Sequence, residues 1–201
     1  PREEIFLTSK VWKDRLGYEA TKKSFEESLE RLQTDYLDLF LIHWPKPDPD
    51  SKDWKELDRG SWAAMEEFYH QGKVKAIGLS NFLPHHIEAL LETAKVRPMV
   101  NQLELHVGYM QELAVQYCKS QHIQVQAWSP LGRRRVLEEP LVAKMAEKYG
   151  LTPAQFLLTF LLEQGIGVIP KASSMERLKQ NLELPDVQIA EEDLYLLRCL
   201  P

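Results

Sequence analysis

The chain has 201 residues, enough for one domain with a sizeable core and short for two. A composition of 44% hydrophobic and 27% charged residues is that of a soluble globular protein, and a net charge of −5 leaves no basic excess with which to recruit nucleic acid or an anionic membrane. No apolar run approaches the about 20 residues of a membrane-spanning helix, and the opening Pro1-Arg2-Glu3-Glu4 is not a signal peptide.

Apolar stretches of strand length alternate with helical patterns along the whole chain. The first strand is predicted over residues 5–10, followed by a helix over 17–34 in which Phe25, Leu29 and Leu32 recur at helical spacing and Glu27 stands four residues before Arg31. Residues 37–43 are nearly continuous in apolar side chains, which suits a strand covered on both faces. Pro45, Pro47, Pro49 and many charges predict a surface loop over 45–60. A helix over 61–71 then presents Trp62, Met65, Phe68 and Tyr69, with Gly72 as its stop.

Further strands are expected over 75–80, 100–105, 123–129 and 165–171, with helices starting near Pro84, Met110, Leu137 and Thr152. Thr152-Pro153-Ala154-Gln155 combines a capping box with proline at the first helical position, and Ser173-Ser174-Met175-Glu176 is a second box opening a short helix. A last helix runs from Glu191 towards Cys199. Cys118 sits in an apolar helical pattern and reads as a small buried residue. Two cysteines without a secretory signal suit a reducing, cytoplasmic location.

Such alternation implies a parallel sheet of about six strands with helical crossovers. An open doubly wound sheet and six-eighths of a (β/α)8 barrel both satisfy it; no Gly-x-Gly-x-x-Gly turn is present, which weakens the former. Polar residues gather where strands end: Lys10, His43, Ser80-Asn81, Asn101-Gln102, Ser129 and Lys171. In parallel α/β architectures that end of the sheet holds the active site. His85-His86 and His106 lack partners at metal-ligand spacing, so no metal is expected, and His85 and His86 read as surface residues of a helix start. Arg133-Arg134-Arg135 reads as a solvated loop.

Several segments resemble aldo-keto reductase motifs: Phe6-Leu7-Thr8-Ser9-Lys10-Val11-Trp12, Asp35-Tyr36-Leu37-Asp38-Leu39-Phe40-Leu41-Ile42-His43-Trp44-Pro45, and Gly72-Lys73-Val74-Lys75-Ala76-Ile77-Gly78-Leu79-Ser80-Asn81-Phe82. Asn101-Gln102-Leu103-Glu104, Ala127-Trp128-Ser129-Pro130-Leu131-Gly132 and Ile169-Pro170-Lys171-Ala172-Ser173-Ser174 continue the likeness in the family's order and spacing. The chain is thus similar to the branch that includes 2,5-diketo-gluconate reductase and prostaglandin F synthase. The resemblance implies a (β/α)8 TIM barrel whose first two βα units are absent from the printed chain, residues 1–201 forming one incomplete domain. It implies an oxidoreductase that moves hydride from NADPH to an aldehyde or ketone carbonyl of a small molecule, monomeric when complete. The general-acid tyrosine and its aspartate are expected upstream, so the chain alone is expected to be weak or inactive.

By the same resemblance Lys10 and His43 are catalytic, Lys10 lowering the tyrosine's pKa and His43 orienting the carbonyl. Trp12 and Trp44 wall the substrate pocket. Ser80, Asn81 and Gln102 hold the nicotinamide carboxamide, Trp128 stacks on the ring, and Ser129 and Leu131 continue the coenzyme site. Lys171, Ser173, Ser174 and Arg177 take the 2′-phosphate, with Asn181 near the adenine. Here a helix N-terminus flanked by Lys171 and Arg177 is also a physical argument for a dianion. Ala172 departs from the family, which carries Ser or Thr there. The alternative is a non-enzymatic NADP(H)-binding or scaffold protein on the same barrel.

Overall fold

The computed structural model describes residues 1–200, apart from the side chain of Arg134. Its contacts gather into two compact units, one of Pro1–Asn101 with Ser120–Ile123, the other of Gln102–Lys119 with Gln124–Pro201. The sheet has six strands in the order β1-β2-β3-β4-β5-β6, and the boundary between units falls inside β4 (Val100–Glu104). That order contains no reversal, so the sheet of the described residues has no topological switch point of the kind a doubly wound sheet requires.

The first unit runs β1 (Thr8–Val11), α1 (Tyr18–Leu32), β2 (Leu37–Ile42), α2 (Trp54–His70), β3 (Val74–Ser80), α3 (Pro84–Leu91) and the start of β4. β1 and β2 pair in parallel with Lys10 opposite Leu41; β2 and β3 pair in parallel with Leu41 opposite Gly78. β2 is buried at every residue, as its unbroken apolar run demands. Leu39, Leu41 and Val100 form a core on one face, with Ala76 and Met99 against it. On the helix side, Phe25 of α1 stacks on Phe68 of α2 at 4.0 Å and meets Phe40 edge-on at 5.0 Å. A Cβ on Gly78 would lie 2.5 Å from the Val100 carbonyl oxygen, so only glycine lets these strands approach. Asp38, buried in β2, accepts from the Leu7 amide and pairs with Arg2 and Lys75, and these contacts hold its carboxyl down at about 2 despite burial.

The second unit holds the rest of β4, α4 (Glu112–Ser120, but for its last residue), β5 (Gln124–Trp128), α5 (Pro140–Lys148), α6 (Pro153–Glu163), β6 (Gly167–Ile169), α7 (Met175–Leu182) and α8 (Glu191–Arg198). α6 buries six consecutive residues, Phe156 to Leu161, and begins with the expected box: Thr152 Oγ1 accepts from the Gln155 amide and Gln155 Oε1 from the Thr152 amide, each at 3.2 Å. Asp193 of α8 accepts from Lys148 at 2.6 Å and Tyr149 at 2.5 Å, and the Tyr149 oxygen accepts from the Ala190 amide, tying α5 to the start of α8.

Four details differ from the sequence expectations. The first strand begins at Thr8 rather than residue 5, with Ile5 and Phe6 exposed. α2 begins at Trp54, inside the stretch 45–60 expected as loop, and carries Gly60 within it. There a Cβ would lie 2.9 Å from the Tyr18 amide nitrogen, so this glycine serves close packing of α1 on α2, not a break. β6 is only three residues long, because Gly165 turns the chain at φ +71 and Pro170 has no amide to donate. Ser174, not Ser173, caps α7, so the box over Ser173-Glu176 is displaced by one.

Candidate active site

In the first unit the ends of three strands bring the predicted residues together. His43 follows β2 and its amide donates to the Val11 carbonyl at 3.1 Å, which fixes the backbone beside the end of β1. Its ring lies edge-on to Trp12 with centroids 4.5 Å apart, and Trp44 stacks more distantly at 6.3 Å. Both tryptophans are exposed, large apolar rings at a strand mouth. At the end of β3, Ser80 is fully buried, and Asn81 after it takes the left-handed conformation (φ 62). Asn81 Nδ2 donates to the His43 carbonyl at 2.9 Å and to Ser80 Oγ at 3.2 Å, so the amide locks the β2 and β3 ends to each other. Asn101 Nδ2 donates to the Phe82 carbonyl and stiffens the following loop.

Burial dominates the electrostatics. It pushes the Lys10 ammonium below its ordinary pKa, and no carboxylate pairs with Lys10 among the described residues. Burial, reinforced by the Lys10 charge, takes His43 down to about 4. At neutral pH His43 is therefore an uncharged imidazole, able to donate one hydrogen bond without bringing a full charge to the site.

In the second unit Gln102 of β4 is buried, and its Nε2 donates to Gln126 Oε1 of β5 at 2.8 Å. Its own Oε1 is buried without a hydrogen-bond partner among the described residues. A buried carbonyl oxygen left unpaired is costly, so a donor brought to it would be bound favourably. Gln126, which sequence reading passed over, thus orients Gln102; strict alternation along β5, with Val125 and Ala127 buried, places it on the same face as Trp128.

The β5–α5 and β6–α7 connections enclose a cavity of about 510 Å³. Ser129, Leu131, Lys171, Ser173, Arg177 and Asn181 all line it, whereas Ser174 caps α7 by accepting from the Arg177 amide at 3.3 Å. Arg133, expected as a solvated loop residue, lines it too. Among the described residues the cations of the wall are Arg133, Lys171 and Arg177, and none of those residues that line it is acidic. Ala172 is also in the wall, to which it brings a methyl and no hydroxyl. Trp128 is partly buried, with the Arg133 guanidinium 5.9 Å from its ring centre. The wall suits the coenzyme's 2′-phosphate at Lys171 and Arg177, and the orphaned Gln102 oxygen suits an amide donor.

The model of the aldo/keto reductase family matches residues 1–199. The chain belongs to that family. This aldo-keto reductase chain is 45% identical to the glyoxal reductase of Bacillus subtilis (strain 168) over 199 residues, covering 99% of the chain and 69% of that protein. Among solved structures, an aldo/keto reductase from Brucella melitensis matches with TM-score 0.91 and 38% identity, over 98% of this chain and 74% of the other. A variant of Gox0644 in complex with NADPH matches with TM-score 0.90 and 37% identity, over 98% and 70%. The six-stranded parallel α/β fold is therefore that of the family. No helix among the described residues is long and apolar enough to cross a membrane.

Proposed function

We propose that the chain is the coenzyme-binding and carbonyl-orienting part of an NADPH-dependent (β/α)8 reductase that converts an aldehyde or ketone to an alcohol. The observation that carries this reading is the cavity of the second unit, with three cations and no acid among its described lining residues and a volume within the range of small-ligand pockets. When bound, NADPH supplies the hydride. Lys171, Ser173 and Arg177 hold its 2′-phosphate, Ser174 organises the helix end behind them, and Asn181 meets the adenine. Ser80, Asn81 and Gln102 fix the carboxamide, the orphaned Gln102 Oε1 accepting from its NH2. Trp128, Ser129 and Leu131 support the nicotinamide half. Trp12 and Trp44 wall the substrate, and neutral His43 donates to the carbonyl oxygen, a bond that strengthens as negative charge gathers there.

The reading assigns the proton to a tyrosine whose pKa Lys10 lowers, with an aspartate beside Lys10, both from sequence preceding Pro1. The isolated 201 residues then bind coenzyme but turn over weakly or not at all. We take the enzyme to be monomeric and cytoplasmic, a reducing location being in keeping with a sequence of two cysteines. The Bacillus relative is named for glyoxal, so small dicarbonyls are the first substrates to try.

The test is a titration of NADPH fluorescence with the purified chain, followed by an assay of glyoxal reduction. Tight binding with weak reduction supports the reading. Full turnover would show that the proton donor lies within the chain, and absence of NADPH binding would sink the reading altogether. Binding with no reduction, even when the upstream sequence is restored, would favour a coenzyme-binding scaffold.

A further inference from the structure

The second unit holds another cavity, of about 480 Å³. Glu104, His106 and Tyr109 line it from the end of β4 and the loop after it, Arg133 and Arg135 from the β5–α5 connection. Local geometry fixes both walls. Gly132 and Arg133 are left-handed (φ 55 and 51), so the chain reverses sharply after Leu131. A Cβ on Gly132 would lie 2.1 Å from Val136 and 3.4 Å from His106 Nδ1, so glycine is what lets the imidazole lie against this turn. In the facing loop His106 and Tyr109 exchange backbone hydrogen bonds at 3.2 and 2.8 Å around Gly108, which is at φ 82. Gln111 Nε2 ties the same loop back by donating to the Glu104 carbonyl at 2.8 Å.

Three polar groups of this wall are left over. His106 Nδ1 lies 2.8 Å from the Val107 carbonyl oxygen, which can only accept. The neutral ring therefore carries its proton on Nδ1 and presents Nε2 as a bare acceptor. Among the described residues neither that nitrogen, nor the Tyr109 hydroxyl, nor the Arg135 guanidinium has a hydrogen-bond or ion-pair partner. Glu104 already faces Arg133, at 3.8 Å. Two arginines against one glutamate leave the wall positive by a single charge.

We propose that this cavity binds a small hydroxycarboxylate, with Arg135 and Tyr109 donating to the carboxylate and His106 Nε2 accepting from the hydroxyl. A planar guanidinium matches two carboxylate oxygens, and the phenol adds a further donor. A simple carboxylate leaves His106 unused, and a plain alcohol leaves Arg135 unused. A zwitterionic amino acid brings no net charge to a positive wall. The site stands whether or not NADPH occupies the other cavity.

Sodium glycolate, acetate and glycine, titrated at one pH and ionic strength into the ¹⁵N-labelled chain and followed by amide chemical shifts, give the dissociation constants that test it. Glycolate is expected to saturate a single site, with shifts centred on the loop at His106–Tyr109. It is expected to bind about tenfold more tightly than acetate or glycine, the equivalent of one good hydrogen bond or charge contact. Arg135→Gln, at an exposed position, is expected to weaken glycolate and acetate alike by about tenfold or more. His106→Asn keeps a donor for the Val107 carbonyl and removes Nε2; it is expected to bring glycolate down to the level of acetate and to leave acetate unchanged. Equal affinity of the unaltered chain for glycolate and acetate would overturn the role of the hydroxyl. Glycine bound as tightly as glycolate would overturn the choice of an anion. Glycolate affinity indifferent to Arg135→Gln, or no saturable binding of any probe, would overturn the site itself.

Discussion

Asp58 lies on α2 one turn beyond Trp54, 2% exposed, with neither carboxyl oxygen hydrogen-bonded among the described residues. Burial drives its pKa from 3.8 to about 9, and the charge of Lys46 offsets only part of that. The folded carboxyl therefore keeps a proton that the unfolded chain releases above pH 3.8, and stability falls as pH rises from there towards about 9. Asp58→Asn keeps the shape and removes the ionisation. It is expected to stabilise the protein at pH 8 by about 1–3 kcal/mol and to flatten this decline. Urea unfolding at pH 6 and pH 8 checks it; parallel slopes for both proteins would refute the assignment. Two histidines act on the other side of neutrality. His43 and His86 are both held down to about 4, so the stability of their neutral forms is lost as pH falls from 6.5 towards 4. His86 was expected on the surface, yet it is buried, packs against Trp54 and Phe82, and accepts from the Leu83 amide through Nδ1. Its partner Trp54 lies in the stretch that the prolines disguised as loop, which is why neither residue's environment was legible.

Elements were read well where a period ran undisturbed. β2, β3 and α1 fall within two residues of expectation because unbroken apolar runs or a clean 3.6-residue stripe specify them. The first two turns of α2 were missed because glycine and proline weigh heavily in local reading, while the reason for Gly60 is tertiary. Two effects oppose each other there. Alanine would improve helix propensity by about 1 kcal/mol. Its Cβ would also sit 2.9 Å from the Tyr18 nitrogen and 3.3 Å from the Gly17 Cα, both backbone atoms that cannot rotate away. Overpacking of this kind costs about 1–3 kcal/mol, more than propensity returns. Gly60→Ala is therefore expected to lower the melting temperature by several degrees, read by circular dichroism; an unchanged or raised value would mean that α1 and α2 can part without penalty.

Across the whole molecule the candidate site was legible as a set of strand-end residues, since each was polar in an apolar setting. Arg133 and Gln126 escaped because what matters for them is a turn geometry and a cross-strand partner, neither of which has a local signature. The charge distribution is likewise invisible in composition: in a chain of net charge −5, the described residues around one cavity include three cations and no acid. If that cavity selects NADPH by its 2′-phosphate, selection must appear as differential stabilisation. A ligand that binds only the folded state raises stability by RT ln(1 + [L]/Kd), so at equal concentration NADPH should raise the melting temperature more than NADH. Charge-assisted hydrogen bonds from Lys171 and Arg177, partly screened by solvent, correspond to about a tenfold to hundredfold preference, or about 1.4–2.7 kcal/mol at saturation. Lys171→Met is expected to shrink the NADPH shift towards that of NADH and to leave the NADH shift unchanged. High salt should do the same, because exposed cations are screened within about 3 Å at 1 M. Equal shifts for the two coenzymes in the unaltered protein would mean that these cations face the cavity without choosing its occupant.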